Sequence, residues 1–151
     1  MIIRVKKKLE NTELELKVLY IDNHGYGISF SNKIEFLIPG ALKDEIVLAK
    51  PMKTINKKVY CKLTKVKLPS DSRIKEDCKK FIICGGCDFR QVNNTWLKDW
   101  KLKKLIQKTD SLNIQKKILP MTTSKKNSRR RATFSAHYQN GQFNLGFISK
   151  F

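Results

Sequence analysis

Three cysteines lie close together near the middle of the chain, with five residues between Cys78 and the run Cys84-Gly85-Gly86-Cys87. In a reducing compartment, closely spaced thiols are more often metal ligands or catalytic groups than disulfide partners. Thiolates are soft donors that bind zinc or iron–sulfur clusters, and the two glycines permit a tight turn in which Cys84 and Cys87 converge. Three thiolates are one fewer than the usual four ligands. The segment therefore predicts a soft-metal site that is incomplete within these residues.

The charge balance indicates a polyanionic partner. The chain has 32 Lys and Arg against 13 Asp and Glu, a formal charge of +19, and Asp110 is the only acidic residue after position 100. Such a field attracts phosphate backbones and predicts nucleic acid as the partner, although lysine-rich compositional drift alone would also give a solvated basic surface. A membrane surface is the weaker alternative, because no basic stretch is paired with a clean apolar face.

The sequence gives no sign of membrane insertion or export. No run of about 18 apolar residues is present, so no transmembrane helix is expected. The first residues place their charges after the apolar positions, unlike a signal peptide. We expect a cytoplasmic protein that does not contact membranes.

Residues 13–67 have the pattern of a small β-domain. Apolar residues alternate with polar ones in five short stretches that are separated by Gly, Asn and Pro turn signals, with inward sets such as Ile34, Phe36 and Ile38. The fourth stretch begins at Ile46 and is expected to end at Pro51. Five strands in about 55 residues predict a small closed barrel of the OB type, a common nucleic-acid platform.

The second half of the chain predicts a mixed unit. Residues 68–72 read as a boundary, and the cysteine segment follows. A helix is expected from a cap at Asn94 and Thr95 through Lys108. Residues 111–128 form a basic connector, and the Asn140-Gly141 turn predicts a β-hairpin, which is marginal alone. The fold class is therefore α+β: an OB-like β-barrel followed by an incomplete α+β domain with a cysteine loop, a helix and a hairpin.

These motifs, in this order, resemble the N-terminal half of the S-adenosylmethionine-dependent RNA (uracil-5-)-methyltransferases. The resemblance rests on the glycine turn at 22–28, the Pro39-Gly40-Ala41-Leu42 segment, the cysteine spacing, the helix that begins near Trp96, and the basic hairpin. It implies a TRAM domain (an OB-like RNA-binding domain) at 1–68 and an incomplete cluster-bearing domain at 69–151. It also implies a [4Fe–4S] cluster held by Cys78, Cys84 and Cys87, and RNA contacts from five basic residues: Lys125, Lys126, Arg129, Arg130 and Arg131.

The activity implied by the resemblance is methyl transfer from S-adenosylmethionine to C5 of a uridine in ribosomal or transfer RNA. In that chemistry an enzyme cysteine adds to C6 and a base removes the C5 proton. The family's fourth cluster cysteine, nucleophile, base and S-adenosylmethionine-binding residues have no counterparts among these 151 residues. Arg90-Gln91 also stands where the family usually has Gln-His, and Asp44 where a glycine is common. We therefore expect the chain alone to be inactive and to be a fragment, the product of a split gene, or a relic. A separate chain that carries the methyltransferase domain is a candidate partner.

Several alternatives remain open at the level of sequence. The cysteines could hold zinc, or form an empty relic. Cys61 could be the fourth ligand, but its inward strand position favours a buried thiol. Trp96 and Trp100, four residues apart, are expected in the core rather than as base-stacking platforms. If Arg129–Arg131 form a strand, Arg129 and Arg131 share one face and Arg130 lies on the other, so only some of the three are expected to contact RNA. The rival functions are a stand-alone TRAM-type RNA-binding protein and a radical enzyme that uses S-adenosylmethionine, whose cysteine spacing differs from this one.

Overall fold

The computed structural model describes residues 12–113, 117–125 and 128–150, which contain eight β-strands and one α-helix. The strands of the first half are β1 (Leu14–Lys17), β2 (Tyr20–Ile21), β3 (Tyr26–Ser31), β4 (Ile34–Pro39), β5 (Ile46–Ile55) and β6 (Lys58–Leu68). Helix α1 (Asn94–Ser111) follows the cysteine segment, and a hairpin of β7 (Ser135–Gln139) and β8 (Gln142–Gly146) comes last. Within the described residues, no helix combines the length and apolar character needed to span a membrane.

The first six strands form one curled sheet in the order β1-β5-β6-β4-β3-β2. All neighbours are antiparallel except β4 and β6, which run parallel from Glu35 opposite Lys58 to Leu37 opposite Tyr60. The two edge strands, β1 and β2, are consecutive pieces of one chain stretch. Between them, the Val18 amide donates to the Glu45 carbonyl (2.9 Å) and the Leu19 amide to the Ile28 carbonyl (2.8 Å). The sheet therefore curls back on itself, and the predicted OB-like barrel within an α+β fold is confirmed.

The barrel interior is filled by the side chains that alternate inward from these strands. The core cluster consists of Leu16, Val18, Phe36, Ile38, Ala41, Val47, Ala49, Val59, Cys61 and Leu63. At about 25 cal/mol for each Å² of apolar surface removed from water, this cluster is the main source of stability for the β-domain. The period-two pattern in the sequence located most of it.

The predicted end of the fourth strand at Pro51 is wrong, because β5 continues to Ile55. β1 pairs with β5 only from Ile46 to Ala49, so Pro51 has a strand neighbour on one side. The pairing with β6 also shifts register between Pro51 and Lys53. A proline is tolerated at an irregularity of this kind because its missing N–H removes no bond from the ladder.

Helix α1 begins one residue earlier and ends three residues later than predicted. The side chain of Asn93, rather than Asn94 or Thr95, caps it by accepting a hydrogen bond from the Trp96 amide at 2.8 Å. No side chain of the helix is fully buried. The helix therefore lies on the surface of the molecule and presents most of its length to solvent.

The hairpin has the predicted turn at Asn140 and Gly141, both with positive φ as this tight turn requires. Its register opposes Ala136 to Leu145 and Tyr138 to Phe143, so one face of the ribbon is apolar. The side chains on that face remain exposed, with Phe143 at 81% and Leu145 at 75%. Within the part of the chain that the structure describes, β7 and β8 form a sheet of two strands.

Candidate nucleic-acid interface and cysteine site

A buried ion pair joins the barrel to the segment that carries the cysteines. Glu45 is fully buried, and both its carboxylate oxygens accept hydrogen bonds from the Arg73 guanidinium. The same carboxylate accepts from the backbone amides of Leu42 (2.8 Å) and Ser70 (3.2 Å), and Arg73 also donates to the Gly40 carbonyl at 2.7 Å. This clasp fixes where the chain leaves β6 and therefore where the cysteine segment starts.

The cysteine segment is a succession of turns on which all three thiols are half-exposed. The Phe81 amide donates to the Cys78 carbonyl (3.1 Å) and the Cys84 amide to the Lys80 carbonyl (2.8 Å). The Gly86 amide donates to the sulfur of Cys84 at 3.4 Å. This contact holds the Cys84 sulfur against the backbone of the glycine turn.

Residues after the hairpin return to this segment and pair with it. The Gly85 amide donates to the Ile148 carbonyl (2.9 Å), and the Lys150 amide donates to the Ile83 carbonyl (2.8 Å). A Cβ atom at Gly85 would lie 2.6 Å from the Ile148 oxygen, and one at Gly86 would lie 2.9 Å from the Phe147 ring. The two glycines are thus required for close approach of the returning chain, a reason that the sequence interpretation had missed.

Two cations flank Cys87. The Lys150 ammonium donates to the Cys87 carbonyl at 2.8 Å and lies 4.6 Å from the Phe81 ring centre, and burial lowers its pKa. Hydrogen bonding to the Cys87 side chain, and then to Asp77, raises the pKa of Arg90. Cys87 therefore lies between two cationic side chains.

The donor chemistry of the loop fits a soft metal, but its present arrangement does not form a binding group. In the described residues, no three His, Cys, Asp or Glu side chains are grouped so that they could hold a metal ion. Cys78, Cys84 and Cys87 would therefore hold such a centre only after the loop rearranges.

Cys61 lies inside the barrel, as the sequence predicted. It has no solvent exposure, and burial raises the pKa of its thiol to about 12. Its sulfur lies 3.8 Å from the Val59 carbonyl. A protonated thiol enclosed by the core is a small apolar side chain rather than a fourth ligand.

The predicted RNA-binding residues form a separate basic segment before the hairpin. Lys125 and Arg129–Arg131 are all exposed, and Ser128 joins them through its hydroxyl, which donates to the Lys125 carbonyl at 2.7 Å. Lys126 lies outside the described residues. The expectation of strand alternation along the arginines is wrong, because β7 begins only at Ser135 and the Arg129 Nε donates to the Arg131 carbonyl at 2.9 Å.

An aromatic cluster connects helix α1 to the barrel. The Phe89 ring centre lies 5.9 Å from that of Trp96 and 4.7 Å from that of Trp100, while the two indoles stack at 13°. Phe89 also fills the space above Gly25 in the β2–β3 turn, where a Cβ would come within 2.6 Å of the ring. The tryptophans pack as core residues do, yet both stay half-buried.

The fold and these sites define an OB-like β-domain joined to a cysteine loop and a basic hairpin. No family model matches the chain. A 23S rRNA (uracil(1939)-C(5))-methyltransferase of Vibrio vulnificus is 30% identical over 151 aligned residues, which cover 96% of this chain and 34% of the relative. A protein of the same name from Colwellia psychrerythraea is 31% identical over 97% of this chain and 34% of its own length.

A third relative of that name, from Vibrio parahaemolyticus, is 34% identical over 58% of this chain and 20% of its own length. Nearly the whole chain therefore spans about a third of the length of the first two relatives. The resemblance drawn from the sequence is confirmed: nearly the whole chain matches an N-terminal part of the RNA (uracil-C5)-methyltransferase family.

Proposed function

We propose that this chain is the RNA-binding part of an RNA (uracil-C5)-methyltransferase that acts on ribosomal RNA. The observation that carries the proposal is the alignment over 96% of the chain with a 23S rRNA (uracil(1939)-C(5))-methyltransferase. The relatives are about three times as long, so the methyl donor S-adenosylmethionine and the catalytic groups would belong to sequence outside these residues, in the same or a separate chain.

The proposed partition makes residues 1–68 a TRAM domain and residues 69–151 a cluster-bearing domain that also contacts RNA. The curled sheet supports the first assignment, because OB-type sheets commonly bind nucleic acids. The exposed Lys125 and Arg129–Arg131 support the second, because guanidinium groups bind phosphate oxygens in pairs. Lys126 is included on sequence grounds alone.

The experiment is a fluorescence titration of a 23S rRNA fragment with the wild-type chain and two double variants. Arg129→Ala with Arg131→Ala should weaken binding and make it less sensitive to salt, by about one unit of slope per lost contact. Lys101→Ala with Lys103→Ala removes the same charge from exposed positions on helix α1, outside the β-domain, and is the matched control. Equal losses in the two double variants would contradict the assignment of the interface to the arginine segment.

We further propose that Cys78, Cys84 and Cys87 are ligands of an iron–sulfur cluster. The support is their spacing, the Gly86 N–H on the Cys84 sulfur, and the cationic surroundings of Cys87. When bound, such a cluster would join the two ends of the loop that carries Cys78, Cys84 and Cys87.

Anaerobic reconstitution, followed by analysis of iron and sulfide, tests the cluster. With three thiolates the cluster should be substoichiometric and oxygen-sensitive. Cys84→Ser should abolish it, whereas Cys61→Ser should leave it intact because Cys61 is in the core. Tightly bound zinc, or loss of the chromophore in Cys61→Ser, would refute the proposed ligand set.

The alternative function is a stand-alone RNA-binding protein of the same β-domain type. The net charge and the exposed basic segment support RNA binding without requiring catalysis. The two functions differ in the fate of the bound RNA: only the first predicts methylated uridine when the remaining part of the enzyme is supplied.

A further inference from the structure

A cleft of about 420 Å³ lies between helix α1 and the β2–β3 turn, and its described lining residues include none of the three cysteines or the three arginines. One aromatic ring, two ammonium groups and three uncharged polar side chains line it: Asn23, Trp100, Lys104, Gln107, Lys108 and Ser111. The described residues that line the cleft include no carboxylate. Its chemistry is therefore that of a site for an anion with a flat, polarisable part.

The helical residues of the cleft share one face of α1. Counted from Trp100, they lie at spacings of 4, 7, 8 and 11 residues, which return to the same side of an α-helix. At a rise of about 1.5 Å per residue, the face from Trp100 to Ser111 is roughly 16 Å long. This stripe is polar and aromatic, so a search of the sequence for an apolar face does not find it.

The cleft is held in shape before any ligand arrives. The Lys104 ammonium donates to the Asn23 side-chain oxygen at 2.7 Å and lies 5.7 Å from the Trp100 ring centre. The turn that carries Asn23 is fixed by Asp22, whose carboxylate accepts from the His24 and Tyr26 amides at 2.8 Å each. The Trp100 ring is also held in place by the Phe89 ring, whose centre lies 4.7 Å away. Because these side chains are already ordered, binding a ligand costs little conformational entropy, which favours affinity.

We propose that this cleft binds an unpaired nucleotide of the RNA, with its base stacked on Trp100 and its phosphate at Lys104 and Lys108. Base–aromatic stacking beside a basic groove is the general way in which proteins hold single-stranded nucleic acid. The Asn23 and Gln107 amides can donate to and accept from a base edge. The inference rests on the proposed RNA-binding function and adds a second contact region, on the helix side of the barrel, to the arginine segment.

The first experiment uses the indole itself as the reporter. The chain has two tryptophans, so Trp96→Phe leaves Trp100 as the only indole, and Trp100→Phe leaves Trp96 while keeping an aromatic ring against Phe89. Oligouridine should quench fluorescence in Trp96→Phe and much less in Trp100→Phe. An oligonucleotide of equal length without bases should bind at least about fivefold more weakly than oligouridine, since the stacking of one base contributes at least about that factor.

The second experiment separates the cleft from general positive charge. Lys104→Gln with Lys108→Gln removes two cleft cations, whereas Lys101→Gln with Lys103→Gln removes two exposed cations of the same helix that do not line the cleft. The cleft variant should weaken oligouridine binding several-fold more than the control, and circular dichroism should show both folded.

Three results would overturn the proposal: equal binding of the base-free oligonucleotide, equal effects of the two lysine pairs, or equally tight binding of polyglutamate. If the wild-type chain still binds 23S rRNA in a salt-dependent manner, those results remove the cleft and leave the proposed function standing. If the wild-type chain binds no RNA at any salt concentration, the proposed function fails as well.

Discussion

Removing Arg73 should destabilise the chain far more than removing any exposed cation. The Arg73 side chain is 13% exposed and its partner Glu45 is fully buried, and no other cation of residues 12–113, 117–125 and 128–150 is bonded to the carboxylate. In Arg73→Ala the carboxylate keeps the amides of Leu42 and Ser70 as its donors from the described part of the chain, and the Gly40 carbonyl loses the guanidinium. Breaking a buried pair from one side costs about 3–5 kcal/mol in the free energy of unfolding.

The assay is urea unfolding followed by far-ultraviolet circular dichroism, with the slope against urea compared among variants. Lys58→Ala is the matched control, because Lys58 binds Glu35 at 3.0 Å but is 47% exposed, and ion pairs open to solvent contribute little to stability. Arg73→Lys should fall between the two, since an ammonium keeps the charge but cannot bind both carboxylate oxygens and the carbonyl with the same fork geometry.

A double variant tests whether the cost comes from the uncompensated charge. Arg73→Met with Glu45→Gln removes both charges and retains an acceptor for the Leu42 amide, so it should recover much of the loss seen in Arg73→Ala. A loss in Arg73→Ala no larger than that in Lys58→Ala would refute the reasoning, because it would mean that water reaches Glu45 and solvates it.

Three further outcomes are expected. Gly25→Ala should lower the free energy of unfolding by about 1–3 kcal/mol, because φ is +85° and a Cβ would strike Phe89, whereas Gly146→Ala, with open space around it, should be nearly neutral in the same denaturant titration. Cys61 should resist thiol reagents at neutral pH until denaturant is added. Its contribution to stability should be lost as pH rises from about 9, where the thiol of the unfolded chain ionises, to about 12, where the thiol of the folded chain ionises. A curve of stability against pH that has the same shape in the wild-type chain and in Cys61→Ala would exclude this. The 151-residue chain alone should transfer no labelled methyl group from S-adenosylmethionine to 23S rRNA, and incorporation above a protein-free control would contradict the proposed partition.

The β-domain could be predicted from sequence because each strand has one buried face, which enforces a period of two. Phe36, Ile38, Val59 and Cys61 were all assigned inward and are all in the core. The prediction that β5 ends at Pro51 was wrong, because a proline ends a strand only where the neighbouring strand needs a hydrogen bond from the missing N–H. The position of the neighbouring strand is not apparent from the local sequence. The hairpin turn could be predicted because it requires positive φ at two successive residues, and Asn140-Gly141 is a pair that tolerates this conformation.

The candidate sites were only partly accessible from sequence. Composition and spacing identified the cysteines and the arginines, but the clasp between Glu45 and Arg73 joins residues 28 positions apart, and no local pattern marks such a pair. The cleft on α1 was missed for a related reason. Its lining residues come from the helix and from Asn23, which lies 81 positions before Lys104 in the sequence. The cleft therefore forms only when the β2–β3 turn packs against Phe89.

The salt dependence of binding to a 23S rRNA fragment tests the central proposal most directly. Four exposed basic side chains, Lys125 and Arg129–Arg131, are assigned to phosphate contacts, and each contact contributes a little under one unit to the slope of log K against log salt. The account predicts a slope of about −3 or steeper for the wild-type chain, and a slope shallower by about two units when Arg129 and Arg131 are both alanine. A binding constant that stays the same between low and physiological salt, or no binding at all, would contradict it.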